Sequence, residues 1–157
     1  MNGKGLKTQT SVLDRLIDYE PDVSREPVQN RMSDYRQLKA SVRRDLESLL
    51  NTKNFVSPLA AEYKELQSSL FVYGLPDFTA ESPRDSSVRD RLRQEIEKLI
   101  YHFEPRLTNV MVVSESNAQD YRTLGFKITG LLMIDPMPEP IIFDTRFDIN
   151  KGEYTIE

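Results

Sequence analysis

No cysteine occurs in this chain of 157 residues. Disulfides, thiolate zinc sites, iron–sulfur clusters and cysteine nucleophiles are therefore excluded. There is one histidine, His102. One imidazole cannot build a histidine-rich metal site, and any histidine-dependent triad would have to use it. The six glycines are scattered, so no phosphate-cradling loop is formed. No apolar run approaches the roughly 18–20 residues that cross a bilayer. The start of the chain, with Lys4, Lys7 and the polar run Thr8 to Ser11, lacks the apolar segment of a signal peptide. Basic excess is missing as well. Lys plus Arg is 21 and Asp plus Glu is 25, a net charge of −4, which argues against a general nucleic-acid binder. The expectation is a soluble cytoplasmic protein with no cofactor, no metal, no nucleic acid and no membrane insertion.

What remains can bury a core, although the chain is polar for its size. Apolar residues are 38% and charged residues 29%, against averages of roughly 45–50% and about 25%. The length fits one domain. Residues 1–10 read as a disordered start, and 11–157 as a single domain. Val12, Leu13, Leu16 and Ile17 share one face of a short helix from Ser11, with Ser11 and Asp14 as a capping box. Pro21 to Pro27 is a connector. Residues 34–50 carry the strongest helical signal: Leu38, Val42, Leu46, Leu49 and Leu50 form one apolar stripe. Arg36, Lys39 and Arg43 form a basic stripe on another face, and Asn51 is a C-terminal stop. Ser57-Pro58 opens a further expected helix, along which Tyr63, Leu66, Leu70 and Tyr73 repeat before Gly74. A loop then runs from Leu75 through Pro83. Ser87 and Asp90 cap the next helix, with Val88, Leu92, Ile96, Leu99, Ile100 and Phe103 on one face.

After Pro105 the apolar period drops from 3.6 to 2. Leu107 to Val113 is a short strand. Phe126, Ile128, Gly130, Leu132 and Ile134 alternate along a second, and Ile141, Phe143, Thr145, Phe147 and Ile149 along a third. Ile142, Asp144, Arg146 and Asp148 fall on the wet face of that third strand. Asn150 to Gly152 is a hairpin loop, and Glu153 to Ile156 a fourth, edge strand. Helices followed by strands give an α+β fold, with N-terminal helices on one face of a mostly antiparallel meander of three to four strands.

Candidate chemistry centres on Glu104-Pro105-Arg106. Proline disfavours helical geometry in the residue before it, so the helix ends near Phe103. In the extended segment that follows, Glu104 and Arg106 point the same way. They are expected to project from the helix end as an acid–base pair, read most simply as an exposed ion pair worth about 0–1 kcal/mol. Asp77, Asp144 and Asp148 are the other carboxylates a two-carboxylate hydrolase could use. Asp144 and Asp148 share a strand face at roughly 13 Å, beyond the about 5–9.5 Å that glycoside hydrolysis needs. His102, next to Tyr101 and Phe103, reads as a structural or surface histidine. The proline-rich run from Asp135 to Pro140 is a stiff inter-strand loop without EF-hand spacing. Tyr73 and Phe78 read as core, with Met133 and Met137 as possible contact residues.

Several runs resemble the TssE family of type VI secretion baseplate subunits. They are Ser11 to Leu16, Ser41-Val-Arg-Arg-Asp-Leu-Glu47 with Leu49 to Thr52, Ser69-Leu70 leading into Tyr73-Gly-Leu-Pro-Asp-Phe78, Phe103-Glu-Pro-Arg-Leu107, and Phe143-Asp-Thr145. The wider family is that of the lysozyme-like baseplate wedge proteins of contractile-tailed phages. The resemblance implies a structural subunit docked at the inner membrane complex. It would sit beside TssF and TssG, in an assembly that also holds TssK, and would start the contractile sheath. It carries Glu104, Pro105 and Arg106 over as a wedge-docking element. It also implies that the terminal strand, with Tyr154 and Ile156, offers its edge to sheath subunits by β-augmentation. A peptidoglycan hydrolase using Glu104 and an anti-adaptor-like regulatory binder are the alternative readings. Charge is unevenly spread: residues 31–53 hold six basic and three acidic side chains, residues 134–157 two basic and six acidic. Two oppositely charged surfaces for different neighbours are expected.

Overall fold

The computed structural model describes residues 31–54, 63–67, 69–78, 85–115, 123–148 and 151–157, together with Leu16, which is helical. The expected disordered start, most of the Ser11 helix, the connector near Pro21 and the Ser57-Pro58 helix start lie outside the described residues.

Helix α1 (Arg31–Asn51) presents its apolar stripe inward, and Leu38, Val42, Leu46, Leu49 and Leu50 are all buried. Truncating one such leucine to alanine costs about 2–5 kcal/mol. Strand β1 (Lys53–Asn54) follows directly. A short helix α2 (Lys64–Gln67) and a 3-10 turn over Leu70–Val72 lead to strand β2 (Leu75–Pro76). Among the described residues the expected helix does not run unbroken to Tyr73. Tyr63 and Leu70 are exposed, Leu70 by 80%, so their helical spacing marks no core stripe. Ser69 instead caps the 3-10 turn through Phe71 N. Nor is Leu75-Pro76 loop: β2 pairs in parallel with β1, Lys53 opposite Leu75 and Asn54 opposite Pro76. Gly74 makes this possible. Its φ is +100°, and a Cβ there would overlap the Thr52 carbonyl oxygen. That oxygen accepts from Leu75 N at 2.9 Å. Glycine alone adopts such a conformation without steric cost.

Helix α3 (Ser86–Phe103) starts earlier than its Ser87–Asp90 pattern suggests. Asp85 is the N-cap, and its carboxylate accepts from Ser87 N at 2.9 Å. Val88, Leu92, Ile96, Leu99 and Ile100 are buried as their spacing requires.

The sheet is a simple meander of β3 (Leu107–Glu115), β4 (Thr123–Leu132), β5 (Glu139–Asp148) and β6 (Glu153–Ile156), antiparallel throughout. Its inner face carries Val112, Phe126, Ile128, Leu132, Ile141, Phe143, Tyr154 and Ile156, which join α1 and α3 in one core. The outer face of β5 is exposed at Ile142, Asp144 and Arg146. An α+β fold with the helices N-terminal to the sheet is thus observed as expected. Two details of the sheet went unforeseen. The β3–β4 register shifts between Thr108 and Met111, where Asn109 takes a φ of 51°. The Thr145 hydroxyl, on the inner face, has no hydrogen-bond partner among the described residues.

Candidate docking site

Glu104 ends α3. Its φ and ψ of −124° and 75° leave the helix, while its N–H still donates to the Ile100 carbonyl at 2.9 Å. Pro105 cannot donate, and the chain turns there into β3. Both charges then face inward. Glu104 is 2% exposed, and the Arg106 side chain 12%. The expectation of a projecting, solvated pair is overturned, because the turn aims both side chains at α1 rather than at water.

Arg106 spends its donors on three groups. Its Nε and Nη2 reach the two Glu104 oxygens at 2.6 and 2.5 Å, a bidentate fork. Its Nη1 donates to Ser41 Oγ at 2.9 Å, and Nη2 also reaches Asp45 Oδ2 at 2.7 Å. Ser41 and Asp45 stand one turn apart on α1, at the i, i+4 spacing that puts them on one face. Arg44 donates to the other Asp45 oxygen at 3.1 Å. Burial works against charge on Arg106, but hydrogen bonds and attraction from Glu104 and Asp45 outweigh it. The guanidinium is held above its ordinary range. A planar five-donor fork suits such a site, and lysine would not fill it. The cluster joins α1 to the junction of α3 and β3. Of the tripeptide, Pro105 is the exposed member, beside the exposed Tyr101 and His102 on the last turn of α3.

The remaining candidates are not gathered here. Asp77 lies after β2, 4.0 Å from Lys53. Asp144 is on the open face of β5, 3.7 Å from Lys127. Asp148 Oδ1 accepts from Lys151 N in the β5–β6 hairpin. His102 rests its Nδ1 against the Lys98 carbonyl at 3.2 Å. Tyr73 packs edge-on against Phe103, Phe78 lies beneath Arg91, and Met137 is exposed. Of the basic stripe, Arg36 and Arg43 are exposed while Lys39 lies over the Phe143 ring. Among the described residues no group of three His, Asp or Glu side chains could hold a metal ion, and no helix is long and apolar enough to cross a membrane.

Tyr154 and Ile156 turn their side chains into the core, so neither side chain is presented to a neighbour. What the strand can offer is backbone. Asp144 and Glu157 exchange both backbone hydrogen bonds. Alternation along an antiparallel pair then points the N–H and C=O of Ile156 and Tyr154 away from β5. At Tyr154 those groups are met by a side chain. Asn51 Oδ1 accepts from Tyr154 N at 2.7 Å, and Asn51 Nδ2 donates to Tyr154 O at 2.9 Å. On the opposite edge, Val112 N donates to Glu97 Oε1 at 2.9 Å. Sequence reading gave no role to Ser41, Asp45 or Glu97, and saw in Asn51 a helix stop. A polar pair at i, i+4 flanking the buried Val42 and Leu46 was the available sign for the first two. The Asn51 contact, across 103 residues, has no local signal.

Comparison with known proteins bears on this geometry. No curated protein matches the chain. A solved chain of "The baseplate complex from the type VI secretion system" is similar in fold, with a TM-score of 0.51 and 18% identity, covering 73% of this chain and 97% of that one. Residues 36–137 match the family described as baseplate wedge protein gp25. That span contains Ser41, Asp45, Glu104 and Arg106, and the chain belongs to the baseplate wedge protein gp25 family.

Proposed function

We propose that the chain is a non-enzymatic structural subunit of a type VI secretion baseplate wedge. It docks onto TssF and TssG, in a baseplate that also holds TssK. It offers the β6 edge as the template from which the contractile sheath grows, in the cytoplasm at the inner membrane complex. The family match over residues 36–137 carries this reading. The fold likeness to a chain of a type VI baseplate complex agrees with it.

The geometry adds a division of labour. Glu104 and Arg106 fix the α3–β3 junction against α1, and the exposed Pro105 turn is the part a wedge partner touches. Hydrolysis by Glu104 finds no support in the site. Both its oxygens are taken by Arg106, and at 2% exposure it is out of reach of a glycan strand.

Co-purification with TssF and TssG tests the proposal. The folded chain should recover both, and Pro105→Asp should recover markedly less while keeping the same circular dichroism. Failure of the native chain to recover either subunit would remove the wedge assignment. Unchanged recovery by the variant would remove the docking role of the turn. Purified protein should leave peptidoglycan intact, and turnover abolished by Glu104→Gln would overturn the structural reading.

A further inference from the structure

We propose that Asn51 is a reversible guard on the β6 edge, holding the place of an incoming strand until one arrives. The inference rests on the strand-templating reading above. It says which edge accepts the strand, what occupies that edge beforehand, and what the strand must look like.

The two edges of the sheet are closed by different means. At β3 the closure is built into the backbone. The register shift between Thr108 and Met111 and the positive φ of Asn109 bend the strand, a device that spoils an edge as a template. Glu97, from the middle of α3, occupies the Val112 N–H and is itself held by Arg93 at 3.0 Å.

At β6 no such distortion is seen. Its register against β5 is regular from Asp148–Glu153 to Thr145–Ile156. The outward groups of Tyr154 are met by one primary amide, which donates and accepts as a neighbouring backbone would. Asn51 is exposed and is the last residue of α1. A helix end frays, and an exposed amide exchanges its bonds with water at little net cost. An entering strand can therefore take over both bonds at Tyr154 and continue to the outward groups of Ile156.

The chemistry of that strand follows from its two sides. On the helix side, next to Asn51, lies a groove of mixed lining, with Leu50, Leu75, Phe78 and Phe147 apolar and Thr52 and the paired Lys53 and Asp77 polar. An added strand continues the inward face of Tyr154 and Ile156, which takes apolar side chains. On the solvent side β6 exposes Glu153, Thr155 and Glu157, of which Glu157 also pairs with Arg146 of β5 at 3.6 Å. Cross-strand pairing there favours basic residues. The fitting partner is an extended segment that alternates apolar and basic side chains. A second copy of β6 would set its own glutamates against these.

The test uses the full chain and a short fluorescein-labelled peptide of alternating valine and lysine, followed by fluorescence anisotropy. Asn51→Ala should bind about tenfold more tightly than the native chain, the factor set by the hydrogen bonds no longer displaced. A valine–glutamate peptide should bind neither. The Tyr154 amide should exchange faster in Asn51→Ala and regain protection with the peptide bound. Equal or weaker binding by Asn51→Ala overturns the guard and leaves strand templating standing. Binding of the valine–lysine peptide to neither chain removes strand addition at β6, and the guard with it. If Asn51→Ala does not fold, an uncharged variant of the same size, Asn51→Leu, carries the test. Asn51→Asp would itself attract the lysines, whereas Asn51→Leu keeps the side-chain size but neither donates nor accepts, so a gain in affinity is again expected, and none overturns the guard.

Discussion

Arg106 and Asp45 stand 61 residues apart in the chain and meet at 2.7 Å. Between them they close α1 onto the turn that starts the sheet. An arginine whose neighbours are a buried carboxylate, a half-buried carboxylate and a hydroxyl cannot be removed from one side without leaving charge behind.

Arg106→Ala should therefore destabilise the fold by about 3–5 kcal/mol, the range for breaking one side of a buried pair. Urea unfolding measures it. Arg106→Glu should fail to fold, since it would set a third carboxylate against Glu104 and Asp45. A cooperative native-like unfolding curve for Arg106→Glu would contradict the cluster's structural weight.

Thr145 gives the opposite sign. Its hydroxyl is buried with no partner among the described residues. Thr145→Val keeps the shape and removes that group. A gain of about 1 kcal/mol is expected from the lifted desolvation cost, read as a higher thermal midpoint.

At Gly74 a side chain meets both a positive φ and the Thr52 carbonyl. Gly74→Ala should cost about 1–3 kcal/mol from backbone strain alone, with the overlap added. Amide exchange at Leu75 should quicken, because its bond to Thr52 is the one disturbed.

Alkaline stability should depend on Tyr154. Burial raises its phenol above the ordinary value of 10.0. The native state then holds the proton where the unfolded chain loses it. This contribution is intact below the unfolded pKa and falls as pH rises above it. The urea midpoint of the native chain should decline above about pH 10, and Tyr154→Phe should remove part of that slope.

Acid acts in the other direction at Asp85, whose carboxyl is lowered by its bonds to Ser87. Its contribution is present above the unfolded value of 3.8 and lost as pH falls through the lower folded value. Asp85→Asn should keep the cap and lose this acid dependence. Asp85→Ala should lower the thermal midpoint at neutral pH.

The sequence announced what depends on period. The stripe from Leu38 to Leu50 and the alternation from Ile141 to Thr145 are burial written at 3.6 and 2 residues, and both are buried as spaced. Tyr63, Leu66, Leu70 and Tyr73 show where period misleads. Four residues at helical spacing form no stripe when the chain between them turns at Ser69. The tripeptide was visible because proline is locally decisive, yet its direction was not. Whether Glu104 faces water depends on where Ser41 and Asp45 lie, and that is a tertiary fact. The same holds for Asn51 and Tyr154, whose bonds are backbone to side chain across almost the whole described chain.

Helix α1 also has a mechanical meaning. Asn51 at its end grips Tyr154, and Ser41 and Asp45 grip Arg106. The distance along the helix from Ser41 to Asn51 is roughly 15 Å at 1.5 Å per residue. While Asn51 is bonded, the helix that holds Arg106 is also tied at its far end to the β6 backbone. Without those two bonds, α1 would be joined to β6 by the packing of its buried stripe alone.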